Sequence, residues 1–361
     1  MKIRKKVLHV LGQLNIGGIE SWLVDFINKT SQDYEYHIIV DRPEKGYYEQ
    51  HLIDLGCKTY HISSPKNKLS YIKDLYATIK IINPDICHSH VSFTNGIVSL
   101  VARVCGVNKV ISYSHSDRSN FYKNKGLARK ALINIQILLT RLFSNYKTAV
   151  SRESALCHYK KVNGVSIIPC GKDFSDLVRI EEKLDRKEFG FQENDFVLVN
   201  VGRLTAVKNQ SFLINLLPQL DAKYKLLIVG DGNLYKELMI LVTEMNVEHR
   251  VFFAGASKDV LRILRDAADL FLFPSHNEGL GLAAIEAQAA GLPVIASSSI
   301  PDEVCLTNDY YSIDVSNPSL WIEKIQTLCN KKMQKSVNYD ICSGRYSISN
   351  NIRSVIEIYN A

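Results

Sequence analysis

No stretch of this chain stays apolar for the ~20 residues that a bilayer-spanning helix requires; charged or polar residues interrupt every run after a few positions. A transmembrane helix is therefore excluded. The opening cluster Lys2, Arg4, Lys5 and Lys6 precedes only Val7 to Leu11, which contains His9 and is too short for a secretory core, so the sequence points to the cytoplasm. Eight cysteines (57, 87, 105, 157, 170, 305, 329, 342) occur singly, without a Cys-x-x-Cys pair or a His tract at zinc spacing. Neither a disulfide framework nor a structural metal is indicated. There is no fixed-period repeat and no low-complexity tract. Also missing are Gly-x-Gly-x-x-Gly, a P-loop and Gly-x-Ser-x-Gly, which removes support for dinucleotide oxidoreductases, P-loop kinases and common α/β hydrolases. Without an Asp-x-Asp pair, no two-carboxylate Mg²⁺ or Mn²⁺ site is indicated, and no metal or cofactor is expected.

What remains is a globular composition: 361 residues, 46% hydrophobic and 22% charged, enough for two domains. The net charge of +7 conceals an asymmetry. Residues 1–180 carry 26 Lys/Arg against 14 Asp/Glu, whereas 181–361 carry 18 against 23. Within the first half, 118–147 holds seven cations (Arg118, Lys123, Lys125, Arg129, Lys130, Arg141, Lys147) and no acid. This run suits an anionic surface or substrate, although Leu132, Ile133, Ile135, Ile137, Leu138, Leu139, Leu142 and Phe143 also suit a core helix with a solvated face.

Short Val/Ile-rich runs alternate with helix-like segments, the pattern of βαβ units and parallel sheets, and this happens twice. Strands are predicted near 7–11, 36–40, 58–62, 85–88, 109–114, 147–150 and 165–168, then near 196–201, 225–229, 251–253, 270–273, 293–296 and 311–313. Between 169 and 195, Pro169-Cys170-Gly171 leads into a charged, weakly periodic segment that reads as a linker, with the boundary near 172. The tail after about 331 has a helical pattern and ends in an amphipathic stripe, Ile348, Ile352, Val355, Ile356 and Tyr359.

Ligands of open α/β sheets bind beyond the carboxyl ends of the strands. Gly17-Gly18-Ile19-Glu20 follows the first predicted strand, His90 the fourth and His115 the fifth; Gly202-Arg203, Gly230-Asp231-Gly232 and Pro274 to Gly281 follow strands of the second half. The most telling segment runs from Pro274 to Ala287 and holds Glu278 and Glu286 eight positions apart. From 282 to 290 Glu286 is the only charge, so a helix there is buried and its carboxylate needs donors, either from backbone and a nearby Arg or from a ligand's hydroxyl pair. Gly279 and Gly281 would let the backbone approach a ligand, flanking Leu280. Lys208, read at a helix N-terminus where a cation is disfavoured, implies a negative partner; with Arg203 it could grip a phosphate, or both could be solvated. Asp231 reads first as a turn residue, and His90 and His115 as hydrogen-bonded structural histidines.

Taken in order, the Gly17-Gly18 loop, His90, His115, Gly202-Arg203 with Lys208-Asn209, Gly230-Asp231-Gly232 and the Glu278/Glu286 pair resemble the retaining, GT-B-fold glycosyltransferases of family GT4, over nearly the whole chain. Glu278-Gly279-Leu280, Glu286-Ala287-Gln288-Ala289 and Ser297-Ser298-Ser299-Ile300 resemble its bacterial exopolysaccharide and capsule branch. One departure is that Ser298 to Glu303 stands where many relatives carry Gly-Gly followed by Glu.

The resemblance implies an α/β GT-B fold: two doubly wound Rossmann-like domains facing a central cleft, with the last helix crossing back to the first. Residues 1–172 plus about 345–361 would bind the acceptor, and 173–344 a nucleotide sugar. Arg203 and Lys208 would hold the diphosphate, Glu286 the ribose, and Glu278 the transferred sugar. Gly279, Leu280 and Gly281 would line the sugar and phosphate, Gly17 and Gly18 would close over the diphosphate, and His115 would lie near the reacting carbon. His115, Glu278, Arg203 and Lys208 are thus the catalytic candidates. The implied partners are a nucleotide sugar and a saccharide acceptor, such as a polyprenyl-diphosphate-linked one, with peripheral contact to an anionic membrane at the inner face through 118–147; no nucleic acid is expected. Rival readings are a sugar-nucleotide epimerase or hydrolase of the same fold, a non-catalytic sugar-nucleotide-binding protein, and an inactive regulatory transferase.

Overall fold

A computed structural model describes residues 4–178, 183–331 and 335–361. Its strands are β1 (Lys5–Leu11), β2 (Tyr34–Val40), β3 (Lys58–His61), β4 (Ile86–Ser89), β5 (Lys109–Ser114), β6 (Tyr146–Ala149), β7 (Ser166–Ile167), β8 (Phe196–Val201), β9 (Tyr224–Val229), β10 (Val251–Gly255), β11 (Leu270–Phe273), β12 (Val294–Ser297) and β13 (Tyr310–Ile313). Each coincides with a run predicted from the sequence to within two residues at either end. The central strands are buried along nearly their whole length, as in Ile86–Ser89 and Leu270–Phe273, because helices cover both sheet faces.

The chain divides into two compact units: residues up to Gly171 together with Ile348–Ala361, and Lys172–Ser347. Within the first, seven parallel strands run in the order β3-β2-β1-β4-β5-β6-β7. The second has six parallel strands in the order β10-β9-β8-β11-β12-β13. The order reverses beside β1/β4 and beside β8/β11, so each sheet has a switch point from which successive loops diverge.

The C-terminal helix Ile348–Asn360 belongs to the first unit. It buries Ile348, Asn351, Val355 and Tyr359, with Ile352 and Ile356 half-buried. Asn351 accepts a hydrogen bond from Trp22 Nε1 at 2.8 Å and donates to the Pro169 carbonyl at 2.7 Å. Lys109 Nζ reaches the carbonyls of Ile358 and Tyr359 at 3.1 and 3.0 Å, and Lys5 Nζ the latter at 3.3 Å. Two cations thus meet the negative end of the helix dipole.

Three expectations are corrected. The segment read as a linker is folded onto the second unit from Lys172 onward: Phe174, Leu177 and Phe191 are buried, and Arg186 grips Asp269 with both terminal nitrogens at 3.3 and 3.0 Å. Its residues 179–182 lie outside the described part. The tail is helical only at Tyr339–Ser343 and Ile348–Asn360, with 332–334 outside the described residues. Finally, the helix Leu127–Phe143 buries Ile133, Ile137 and Thr140 but exposes Leu127, Leu132, Ile135, Leu138 and Leu142, four of which the sequence had suggested for a core.

Candidate functional site

In the second unit, the loops that follow β8 and β11 flank the switch point and are bonded to each other. Lys208 Nζ lies 2.6 Å from Glu278 Oε1, Asn209 Nδ2 donates to the Pro274 carbonyl at 3.3 Å, and His276 N donates to the Val207 carbonyl at 2.8 Å. The ammonium also stands 5.2 Å from the centroid of the Phe273 ring. Lys208 closes a 3₁₀ turn, Ala206–Lys208; Asn209 then adopts a left-handed conformation (φ 55°) and the helix Gln210–Leu216 begins after it. Lys208 thus stands immediately before the N-cap of that helix, and the negative group that it meets is Glu278. Arg203, by contrast, extends into solvent; its carbonyl accepts from Gln210 Nε2 at 3.2 Å.

Glycines set this loop's path. A Cβ on Gly230 (φ 142°) would overlap the Gly202 carbonyl, and one on Gly232 would overlap that of Leu204. Leu204 N donates to the Asp231 carbonyl at 3.0 Å, and the Asp231 carboxylate accepts from Gly232 N at 2.7 Å, which makes Asp231 a turn residue. Gly281 (φ 89°) caps the helix Leu282–Ala289, and a Cβ there would meet Phe273, Ile300 and Val304 at 3.2–3.8 Å. Backbone conformation and packing demand that glycine whether or not a ligand comes near. Leu280 is buried beside it, as is Glu286 in the helix. Gly279 is buried in the preceding loop.

Sequence reasoning missed three polar atoms along the same seam. Asn200 Oδ1 on β8, Gln210 Oε1 and Ser275 Oγ beyond β11 are buried and lack a hydrogen-bond partner. Unsatisfied buried acceptors and hydroxyls are uncommon and mark places where water or a polar ligand completes the bonding. No periodicity distinguishes such residues in a sequence.

The first unit gathers its polar groups around the β1/β4 switch point. Gly17 is extended and precedes the helix Gly18–Thr30; the Glu20 carboxylate lies against it, and Gly18 has open space around it. His115, immediately after β5, hydrogen-bonds through Nε2 to His90 Nδ1 at 2.8 Å and through Nδ1 to Cys170 Sγ at 3.3 Å. His90 Nε2 in turn meets His9 Nδ1 at 2.9 Å. Burial pushes the His9 and His115 imidazoles down to about 3, and those of His88 and His90 well below the ordinary value. All four are neutral at physiological pH. His9 and His88, which the sequence reading did not single out, face each other across β1 and β4 in register. The available signal was the His88-x-His90 spacing, which puts both rings on one face of a strand.

Residues 20–148 match the family model "Glycosyl transferase 4-like", and residues 181–340 match "Glycosyl transferases group 1". The chain is 25% identical to the glycosyltransferase EpsF of Bacillus subtilis, over 99% of this chain and 97% of EpsF. It is 26% identical to the UDP-Gal:alpha-D-GlcNAc-diphosphoundecaprenol alpha-1,3-galactosyltransferase of Escherichia coli, over 98% of this chain and 96% of the relative. Identity to the capsular polysaccharide biosynthesis glycosyltransferase CapH of Staphylococcus aureus is 25%, over 98% of each. Among solved structures, Anabaena HepE in complex with UDP and glucose superposes with a TM-score of 0.82 at 19% identity, over 99% of this chain and 100% of HepE. WaaG, a glycosyltransferase involved in lipopolysaccharide biosynthesis, gives 0.69 at 15% identity, over 97% and 95%. With both halves matched, with matching relatives along its whole length and with the GT-B fold of its structural neighbours, the chain belongs to the group 1, GT4-like glycosyltransferases.

Proposed function

We propose that this glycosyltransferase moves a sugar from a nucleoside diphosphate sugar to a saccharide carried on a polyprenyl diphosphate, with retention at the anomeric carbon, in the synthesis of an exopolysaccharide or capsule. The observation that carries the donor assignment is the Lys208–Glu278 pair at the β8/β11 switch point. A diphosphate arriving there attracts Lys208 away from Glu278, and the released carboxylate then accepts bonds from the sugar hydroxyls. Arg203, already in solvent, swings onto the phosphates, while Glu286 takes the ribose. In the reaction the bond from the anomeric carbon to the diphosphate breaks, the acceptor oxygen bonds to that carbon, and its proton passes to the leaving phosphate oxygen. The residues contribute positioning and electrostatic stabilisation of the departing charge. Within the first unit, Gly17 and Gly18 are the candidate contacts for the diphosphate and His115 for the sugar. No metal is invoked, since the two cations serve the leaving group.

The acceptor class follows the lipid-linked substrate named for the Escherichia coli relative. It agrees with the helix Leu127–Phe143, whose exposed Leu127, Leu132, Ile135, Leu138 and Leu142 accompany the cations of 118–147. Such a face suits shallow contact with an anionic bilayer at the cytoplasmic side. Among the described residues, no helix is long and apolar enough to cross a membrane.

The test incubates the protein with UDP-, GDP- and ADP-sugars, with and without a polyprenyl-diphosphate-linked N-acetylhexosamine, and reads products by mass spectrometry. Acceptor-dependent release of nucleoside diphosphate and growth of the lipid-linked saccharide by one sugar are expected. Free sugar or an isomeric donor formed equally without acceptor would assign a hydrolase or epimerase instead.

A further inference from the structure

Four histidines and a tyrosine in the first unit form one hydrogen-bonded series. His88 Nδ1 meets Tyr359 Oη at 2.8 Å, that oxygen meets His9 Nε2 at 3.5 Å, His9 Nδ1 meets His90 Nε2 at 2.9 Å, His90 Nδ1 meets His115 Nε2 at 2.8 Å, and His115 Nδ1 ends on Cys170 Sγ at 3.3 Å. Trp22 and Tyr113 pack against the rings of His90 and His115, with centroids 4.0–5.8 Å apart. We propose that Tyr359, His9 and His90 are positioning residues that impose one hydrogen-bond polarity on His115, so that its Nδ1 always presents a proton at the edge of the sheet.

Each neutral imidazole owns one N–H and one lone pair, so in an unbroken series the tautomer of one ring dictates the next. Three arrangements make every interior contact; one of them, in which Tyr359 Oη accepts from both His88 and His9, strands the buried phenol O–H without an acceptor, and the two polarities that remain differ at the ends. At the inner end, His88 Nε2 is buried with no partner. If the series ran outward-to-inward, that atom would be a bare N–H; if it runs inward-to-outward, it is only a bare lone pair. Unpaired buried N–H groups are the rarer and costlier of the two. The polarity selected is therefore His88 Nδ1–H to Tyr359, Tyr359 O–H to His9, His9 Nδ1–H to His90, His90 Nδ1–H to His115, and His115 Nδ1–H to Cys170. Burial keeps every ring neutral, which this ordering of protons requires.

His9, His88 and His90 also stand close enough together for a metal ion. However, His9 Nδ1 and His90 Nε2 point at each other and share a proton, and these two rings are stacked within 14° of parallel. A metal ion taking those two nitrogens would have to displace the proton between them and break the series.

A thiol is a weak acceptor, so a ligand oxygen can replace Cys170 on His115 Nδ1–H. On the transferase reading above, on which this consequence alone rests, His115 acts as a neutral donor to a sugar oxygen and not as a base through Nδ1.

The experiment is nitrogen-15 NMR of the full chain, labelled at its ten histidines, with His115 identified from the signals lost in His115→Gln. For the wild type at pH 7 without ligand, His115 is expected wholly as the Nδ1–H tautomer. His90→Gln, whose amide still donates to Nε2, should preserve that state; His90→Leu and Tyr359→Phe should convert it to a mixture of tautomers. Three results would overturn the proposal: a wild-type His115 that is Nε2–H or imidazolium, a tautomer that ignores both Tyr359→Phe and His90→Leu, or loss of the His9, His88 and His90 signals on adding stoichiometric zinc. If His90→Leu does not fold, the wild-type and Tyr359→Phe spectra still decide. Absence of transferase activity would leave these spectra unchanged, so the two readings fail separately.

Discussion

Lys208 and Glu278 lie seventy positions apart in the sequence, yet Nζ and Oε1 meet at 2.6 Å, joining the loops that follow β8 and β11. Both side chains are mostly shielded, at 21% and 13% exposure, so the pair is worth more than a surface ion pair and costs more to separate. A donor that uses both groups must first part them.

This gives opposite expectations for the two partners. Glu278→Gln frees Lys208, so UDP alone should bind tighter, by about 3- to 10-fold for ~1 kcal/mol of lost competition, while turnover with the full donor falls. Lys208→Met should weaken UDP by about 10-fold or more, since a charge-assisted bond contributes ~1.5–3 kcal/mol. Isothermal titration calorimetry alongside initial rates separates the effects; parallel losses of UDP affinity in both variants would contradict the competition.

Gly230→Ala tests how the Arg203 loop is held. The added methyl meets the Gly202 carbonyl, and the residue is held at a φ of 142° that alanine avoids. A loss of ~2 kcal/mol or more is expected in urea denaturation, with weaker donor binding because residues 202–204 must retreat. Arg203→Ala, by contrast, should alter stability by no more than ~0.5 kcal/mol while lowering donor affinity. An Arg203→Ala variant that unfolds early would show that the side chain supports the fold.

For the helix Leu127–Phe143, the double variant Ile135→Gln, Leu138→Gln changes two exposed apolar residues, 51% and 52% accessible, without touching the buried Ile133 and Ile137. Sedimentation with anionic vesicles should drop severalfold, and raising the salt should weaken the wild type further as cation attraction is screened. Equal wild-type failure on anionic and neutral vesicles would remove the membrane role.

Acid should destabilise the first unit early. His9 and His115 lie at about 3 and His158 at about 4, all depressed by burial below the ordinary 6.5. The unfolded chain therefore binds protons that the folded one refuses between pH ~6.5 and those values. Their contribution is complete above 6.5 and is lost as pH falls through that window, at ~1.4 kcal/mol per pH unit per histidine. Asp41, raised by burial to about 6, acts in the opposite sense and offsets one histidine over part of the range. Urea midpoints at pH 7.5, 6.5 and 5.5 should fall increasingly steeply below 6.5; a flat profile would mean that the rings are accessible to protons.

The sequence by itself determined the two sets of parallel strands, because near-continuous Val/Ile/Leu runs survive only where both sheet faces are covered, and that periodicity is local. It also placed Gly202-Arg203, Glu278 and His115 beyond strand ends and Glu286 in the helix that follows, since strand boundaries and the residues after them are read along one segment. Which of these groups meet was decided by tertiary structure. The switch points adjoin β8 to β11 and β1 to β4, and only that strand order sets Lys208 on Glu278 and leaves Arg203 in solvent. The histidine series draws members from β1, β4, the end of β5 and the C-terminal helix, with Tyr359 and His9 separated by 350 positions. Such contacts depend on register, helix docking and side-chain direction, which the order of residues along any one segment does not express.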